Sequence, residues 1–179
     1  MDIFTFSAQS LLAWTASYAI LEPASFIIIP KISKAQTTQE YYNKFPIPIV
    51  VFGDFIYSTF LFLIAQQVIS LLFKSPLDLK GCLTPKTILQ WFLRFLTFVA
   101  VQWTGDLSFF ALISNLKFSN RYIDFFQRYG KDVTLGAPIG DSIYGLAWFI
   151  LAQLMLYVPV WLQTTLITLF LFGTLVVSY

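Results

Sequence analysis

The sequence predicts an all-α integral membrane protein. Its expected form is about five transmembrane helices in one bundle, with a parallel internal repeat of spans one and two by spans three and four, and a short interfacial amphipathic helix. Three observations predict this. Of 179 residues, 58% are hydrophobic, 19% aromatic and only 11% charged, whereas about a quarter of a soluble domain is charged. Five mainly apolar stretches, at about 8–29, 47–72, 88–113, 134–157 and 160–179, approach or exceed the roughly 20 residues needed to cross the hydrocarbon core. The third is the repeat. Gly53-Asp54-Phe55-Ile56-Tyr57-Ser58-Thr59-Phe60-Leu61-Phe62-Leu63-Ile64-Ala65-Gln66 recurs 87 residues later as Gly140-Asp141-Ser142-Ile143-Tyr144-Gly145-Leu146-Ala147-Trp148-Phe149-Ile150-Leu151-Ala152-Gln153, with seven of fourteen positions identical.

The first span contains Glu22-Pro23, where proline should kink the helix and free a backbone carbonyl near the acid. No secretory signal is evident, because Asp2 stands where a basic segment would and no small-residue cleavage site follows, so the span is expected to be retained. Trp14-Thr15-Ala16 in span one parallels Trp103-Thr104-Gly105 in span three at a shift of 89. Two helices per unit leave both units in the same orientation. The symmetry axis would then lie along the membrane normal, with Asp54 and Asp141 facing each other across the interface of the units.

In span two, Tyr57 is three residues beyond Asp54 and Ser58 four. In span four, Tyr144 and Gly145 stand likewise to Asp141, so each set shares one helical stripe. Span three carries Arg94 and, in its C-terminal half, Asp106; there the helix dipole opposes an anion, so capping does not explain the acid. The loop at 114–133 places Phe118, Tyr122, Phe125, Phe126 and Tyr129 on one helical face. Lys117, Asn120, Arg121, Asp124, Gln127 and Arg128 lie on the other, predicting an interfacial helix over about 117–130. Its alternative is a lid over the bundle without lipid specificity. With Lys131, the basic residues Lys117, Arg121 and Arg128 form the expected membrane-surface set. Val158-Pro159 separates spans four and five, as a tight antiparallel hairpin or one long bent segment.

Basic residues give the orientation. Lys31, Lys34, Lys44, Lys117, Arg121, Arg128 and Lys131 face one side, against Lys74, Lys80 and Lys86 on the other. Seven against three predicts the first side as cytoplasmic, with the N-terminus outside and the C-terminus inside.

On this arrangement Glu22, Asp54, Asp106 and Asp141 each lie seven residues from the same end of their spans, roughly 10 Å below one face. Carboxylates at that depth are costly and are functional candidates by default. Tyr57 and Tyr144 can donate to them. A second, outer polar layer is expected from Arg94, Gln66, Gln67 and Gln153. Competing readings exist: Asp54 and Asp141 can be helix caps, Glu22 can reach the interface, and the glutamines with Arg94 can be interhelical glue.

Several function classes are excluded or disfavoured. A net charge of +2 gives no basis for a nucleic-acid partner, and the single Cys82 precludes an intrachain disulfide. The absence of His removes the commonest general base and metal ligand. Intramembrane aspartyl proteases also use buried aspartates, but their Gly-x-Gly-Asp is departed from by Val51, Trp103 and Pro138 and no Pro-Ala-Leu is present. A lipid-diphosphate enzyme would need clustered acids for Mg²⁺, and these acids are isolated in sequence. No enzyme and no cofactor are expected. The expectation is a small carrier or channel moving protons, a metal cation or an amine through the carboxylate layer; the alternative is a structural or assembly protein. Beyond the lipid bilayer, the expected partners are a small cation or proton and a second copy or a membrane complex.

Tyr129-Gly130-Lys131-Asp132-Val133, followed by Gly140-Asp141-Ser142-Ile143-Tyr144, resembles short uncharacterised multi-pass membrane proteins of large DNA viruses. That resemblance covers about the last third of the chain and implies a virion or host membrane, with no activity or site to carry over.

Overall fold

The computed structural model describes residues 2–74, 77 and 84–177. Cys82, Lys80 and the last two residues of the fifth expected span lie outside them. The described residues form seven helices: α1 (Ala8–Ile32), α2 (Gln36–Lys44), α3 (Ile47–Leu72), α4 (Pro85–Asn115), α5 (Arg121–Val133), α6 (Gly136–Met155) and α7 (Val160–Val177). It is a helical membrane bundle. Length and apolarity let α1, α3, α4 and α7 each cross a membrane, while α6 qualifies only when counted with α5 across a 90° bend.

Local chemistry sets the ends. Ser7 accepts from the Ser10 amide at 3.0 Å and Ser10 answers the Ser7 amide at 3.1 Å, a reciprocal cap that starts α1. Thr84 caps α4 ahead of Pro85. Asn120 caps α5 through the amides of Tyr122 and Ile123 at 2.9 and 3.0 Å. The helix expected over 117–130 therefore runs over 121–133, leaving Lys117 and Phe118 ahead of it. Thr134, with φ 48°, makes the corner into α6. Helix α1 continues through Pro23 and Pro30, and the Ser25 hydroxyl takes the Glu22 carbonyl at 2.8 Å.

Packing pairs α1 with α6 and α3 with α4, while α2 lies against α5 at the end where both short helices sit, here the acid end. The turn at 156–159 separates α6 from α7, and Gln163 closes it by donating to the carbonyls of Met155 and Val158 at 2.8 Å each. Beyond that turn α7 packs chiefly on α1 and then α3.

Away from the acid end the core is aromatic. Trp14 stacks on Trp148 at 3.8 Å and on Phe62 at 4.1 Å, and Phe149 meets Phe98 edge-on at 4.5 Å. The Trp148 indole donates to the Trp14 carbonyl at 2.9 Å. This block fills the bundle from α1 to α6.

Candidate functional site

The four acids occupy the acid end, and three of them are each met by one tyrosine hydroxyl. Tyr57 of α3 donates to Asp106 of α4 at 2.7 Å, Tyr144 of α6 donates to Glu22 of α1 at 3.0 Å, and Tyr41 of α2 donates to Asp54 of α3 at 2.7 Å. Tyr57 and Tyr144 thus serve acids on other helices rather than the aspartates on their own stripes. Gly105 makes room for the first bond: a Cβ there would lie 2.6 Å from a Leu61 methyl and 3.3 Å from the Tyr57 hydroxyl. Glu22 and Asp106 are buried, and one oxygen of each, Oε1 and Oδ2, has no hydrogen-bond partner among the described residues. Neither acid caps a helix.

Asp141 differs from the other three acids. No side-chain hydrogen bond reaches it among the described residues, and it is exposed, although it lies within range of the charges of Asp106 and Asp54. Helical spacing puts Asp141 on the stripe of Gly145, Trp148 and Ala152, all buried. The same holds for half-buried Asp54, whose stripe continues through half-buried Ser58 to buried Leu61 and Ala65. Both stripes are open at the aspartate and closed about 10 Å further on. Each stripe is therefore more exposed at its aspartate than where it meets the buried core.

Helices α2 and α5 pack on each other at the acid end. Arg128 donates to both Glu40 oxygens at 3.0 and 3.1 Å, and Thr37 donates to Asp132 through its hydroxyl at 2.6 Å and its amide at 3.1 Å. Arg128 holds the Glu40 carboxyl below its usual range, and Thr37 does the same for Asp132. Tyr41 stacks on Phe125 at 5.6 Å while reaching down to Asp54; burial, followed by the Asp54 charge, pushes its hydroxyl up, so it remains the proton donor. Each short helix also turns a glutamine back to the long helix before it. Gln39 donates to the carbonyls of Pro30 and Ser33 at the end of α1, and Gln127 to those of Ile113 and Leu116 at the end of α4.

Of the expected membrane-surface set, Arg128 is tied to Glu40 and Arg121 donates to the Lys44 carbonyl at 3.1 Å. Lys117 and Lys131 are exposed.

At the opposite end the expected polar layer holds the start of the chain. Arg94 pairs with Asp2 at 2.5 Å, with both side chains buried. Gln66 donates to the Ile3 carbonyl at 2.8 Å, and Gln153 accepts from the Ile3 amide at 3.1 Å. Ile3 and Phe4 are buried, and Phe4 stacks on Phe149 at 5.2 Å. Gln67 is exposed on another face of α3, outside this layer.

Sequence reasoning missed α2, the anchoring of Asp2, and the parts played by Tyr41 and Tyr129. A signal for the tyrosines exists: Gln39 and Tyr41 stand 88 residues before Gln127 and Tyr129, in nearly the frame of the Gly-Asp repeat.

Compared with known proteins, the chain matches no family model, no curated protein and no solved structure.

Proposed function

We propose that the chain is a small membrane carrier or channel for protons, a metal cation or an amine, loaded from the acid end. One observation carries this reading: the stripes of Asp54 and Asp141 are accessible at their acids and buried beyond them. Four carboxylates gathered at one end, with no basic side chain hydrogen-bonded to them among the described residues, concentrate cations. The basic residues around α2 and α5 assign that end to the cytoplasm, with the N-terminus outside.

The bundle is read as two like units, α1–α3 and α4–α6, joined side by side. Supporting this are the matched glutamines of α2 and α5, the Trp14 indole on Thr59 beside the Trp103 indole on Ser142, and the exchange of Tyr57 and Tyr144 onto acids of the opposite unit. In such a pair the site lies at the interface of the units.

The test is flux into proteoliposomes, with proton, monovalent-cation, divalent-cation and methylammonium movement read for wild type beside Asp106→Asn and paired Asp54→Asn/Asp141→Asn. Flux above empty vesicles that falls at least tenfold in the variants is expected. Absence of flux for every probe with folded wild type overturns it. The second reading, a structural or assembly subunit of a viral or host membrane complex, draws on the aromatic block, which closes the bundle across α1, α3 and α6.

A further inference from the structure

On α4 two buried acceptor oxygens stand one turn apart without a donor. Asp106 is 6% exposed; its Oδ1 takes the Tyr57 hydroxyl at 2.7 Å, and its Oδ2 has no partner among the described residues. Gln102, four residues earlier and so on the same face of the helix, has a buried Oε1 that is likewise unpartnered there. Each bare oxygen carries a cost of burial. A carboxylate oxygen and an amide carbonyl both accept, so neither can satisfy the other. One proton turns the pair into a donor and an acceptor. We propose that Asp106 carries a proton on Oδ2 at neutral pH and donates it to Gln102 Oε1, making this turn of α4 a proton site. Its part in transport rests on the carrier reading, which it deepens by naming the ion held here.

The groups facing Asp106 favour an uncharged carboxyl. Helix α4 packs on α3, α5 and α6. From α3 comes the neutral Tyr57 hydroxyl; from α5 Tyr129 and from α6 Asp141 stand within range of its charge. None of these is a cation, and the ion pairs among the described residues, Arg94 with Asp2 and Arg128 with Glu40, do not include Asp106. An ionised Asp106 would be a buried anion held by one hydroxyl, which is costly. A neutral carboxyl needs only the Tyr57 donor and the Gln102 acceptor.

Space selects the proton over larger ions. A Cβ on Gly105, next to Asp106, would lie 2.6 Å from a Leu61 methyl and 3.3 Å from the Tyr57 hydroxyl. On the other flank, a Cβ on Gly145 of α6 would lie 3.2 Å from Phe98 and 3.6 Å from Gln102 Oε1. Both neighbouring helices thus close on this turn to within the reach of one methyl group, whereas a proton needs no volume. Among the described residues no three acid, His or Cys side chains are placed to hold a metal. The only bond formed is Oδ2–H, with the proton taken from bulk water and returned to it.

Infrared spectra of the full chain in lipid nanodiscs at neutral pH test this, with isotope-labelled aspartate separating Asp106 from Glu22. The C=O band of a protonated aspartic acid is expected in wild type and should be lost in Asp106→Asn. In Gln102→Leu the band should remain and move to higher frequency, because the carboxyl has lost its acceptor; a merely structural Gln102 would not move it. An ionised carboxylate band for Asp106, with the Gln102 amide turned to donate, overturns the proposal, as does a protonated band unmoved by Gln102→Leu. If Asp106→Asn does not fold, as judged by circular dichroism, the labelled band and its response to Gln102→Leu decide in the same two ways. A protonated Asp106 without vesicle flux for any probe ends the carrier reading alone; flux with an ionised Asp106 ends this proposal alone.

Discussion

At the aromatic end, Trp14 lies between Phe62 and Trp148 at 4.1 and 3.8 Å, and its ring is fully buried. Eight residues further along α1, about 12 Å, Glu22 holds one tyrosine hydroxyl and leaves its other oxygen without a partner among the described residues. The same helices thus build one end by dense contact over large apolar areas and the other by single directional bonds to carboxylates. Aromatic contact is indifferent to pH and salt and is lost only by deleting volume. A lone hydroxyl on a buried acid is exchangeable for another donor at little net cost. The acid end is where single internal bonds can be exchanged, and the aromatic end is the fixed base beside it.

Removing volume from the fixed end should have the largest effect. Trp14→Ala is expected to cost about 3–5 kcal/mol, read as a shift of the unfolding midpoint in mixed micelles. A cost below about 1 kcal/mol would mean that the block is not the stabilising base.

Deleting single bonds at the acid end should cost less. Tyr57→Phe and Tyr144→Phe each leave a buried carboxylate without its donor, for an expected loss of about 1–3 kcal/mol. The two bonds join different helix pairs, α3 to α4 and α6 to α1, so the losses should add within about 0.5 kcal/mol in the double variant. A loss in either single variant as large as that of Trp14→Ala would erase the contrast between the ends.

How far this contrast was readable from sequence differs by element. The long helices announce themselves because lipid demands unbroken apolar runs, and Glu22, Asp54, Asp106 and Asp141 stand out because a carboxylate in such a run is rare. The donors of Tyr57 and Tyr144 are legible as tyrosines beside acids, but their targets are not. Which carboxylate each hydroxyl reaches depends on helix rotation and neighbours, and both cross to another helix. Helix α2 escapes because seven polar residues and two tyrosines, without a side-chain cap, carry little apolar signal; its place is fixed by Gln39, Tyr41 and Glu40 acting on distant partners. Asp2 escapes for the same reason, being 92 positions from Arg94. Exposure at Asp141 depends on how the helices pack and has no local signature.

The smallest expected effect lies between α2 and α5, where the contrast can be sharpened without touching the buried acids. Glu40 has its carboxyl held low by Arg128, with Lys44 and Arg121 adding to the effect, and Asp132 is held low by Thr37. For a group whose folded value is depressed, the stabilisation is complete above the unfolded value, about 4.3 for Glu, and is lost as pH falls through the folded one. The α2–α5 contact should therefore hold at neutral pH and loosen only in acid. Because the Arg128–Glu40 pair faces water, raised salt should weaken it. Spin labels at exposed Gln36 and Lys131 would read the spacing of the two helices. Wild type should widen on going from neutral pH to below about pH 4, and Arg128→Gln should be wider at neutral pH and respond less to acid, its remaining change arising from Asp132. If the spacing is the same at both pH values in both proteins, the contact is held by the Tyr41–Phe125 stack rather than by charge. In that case its rigidity belongs with the aromatic end.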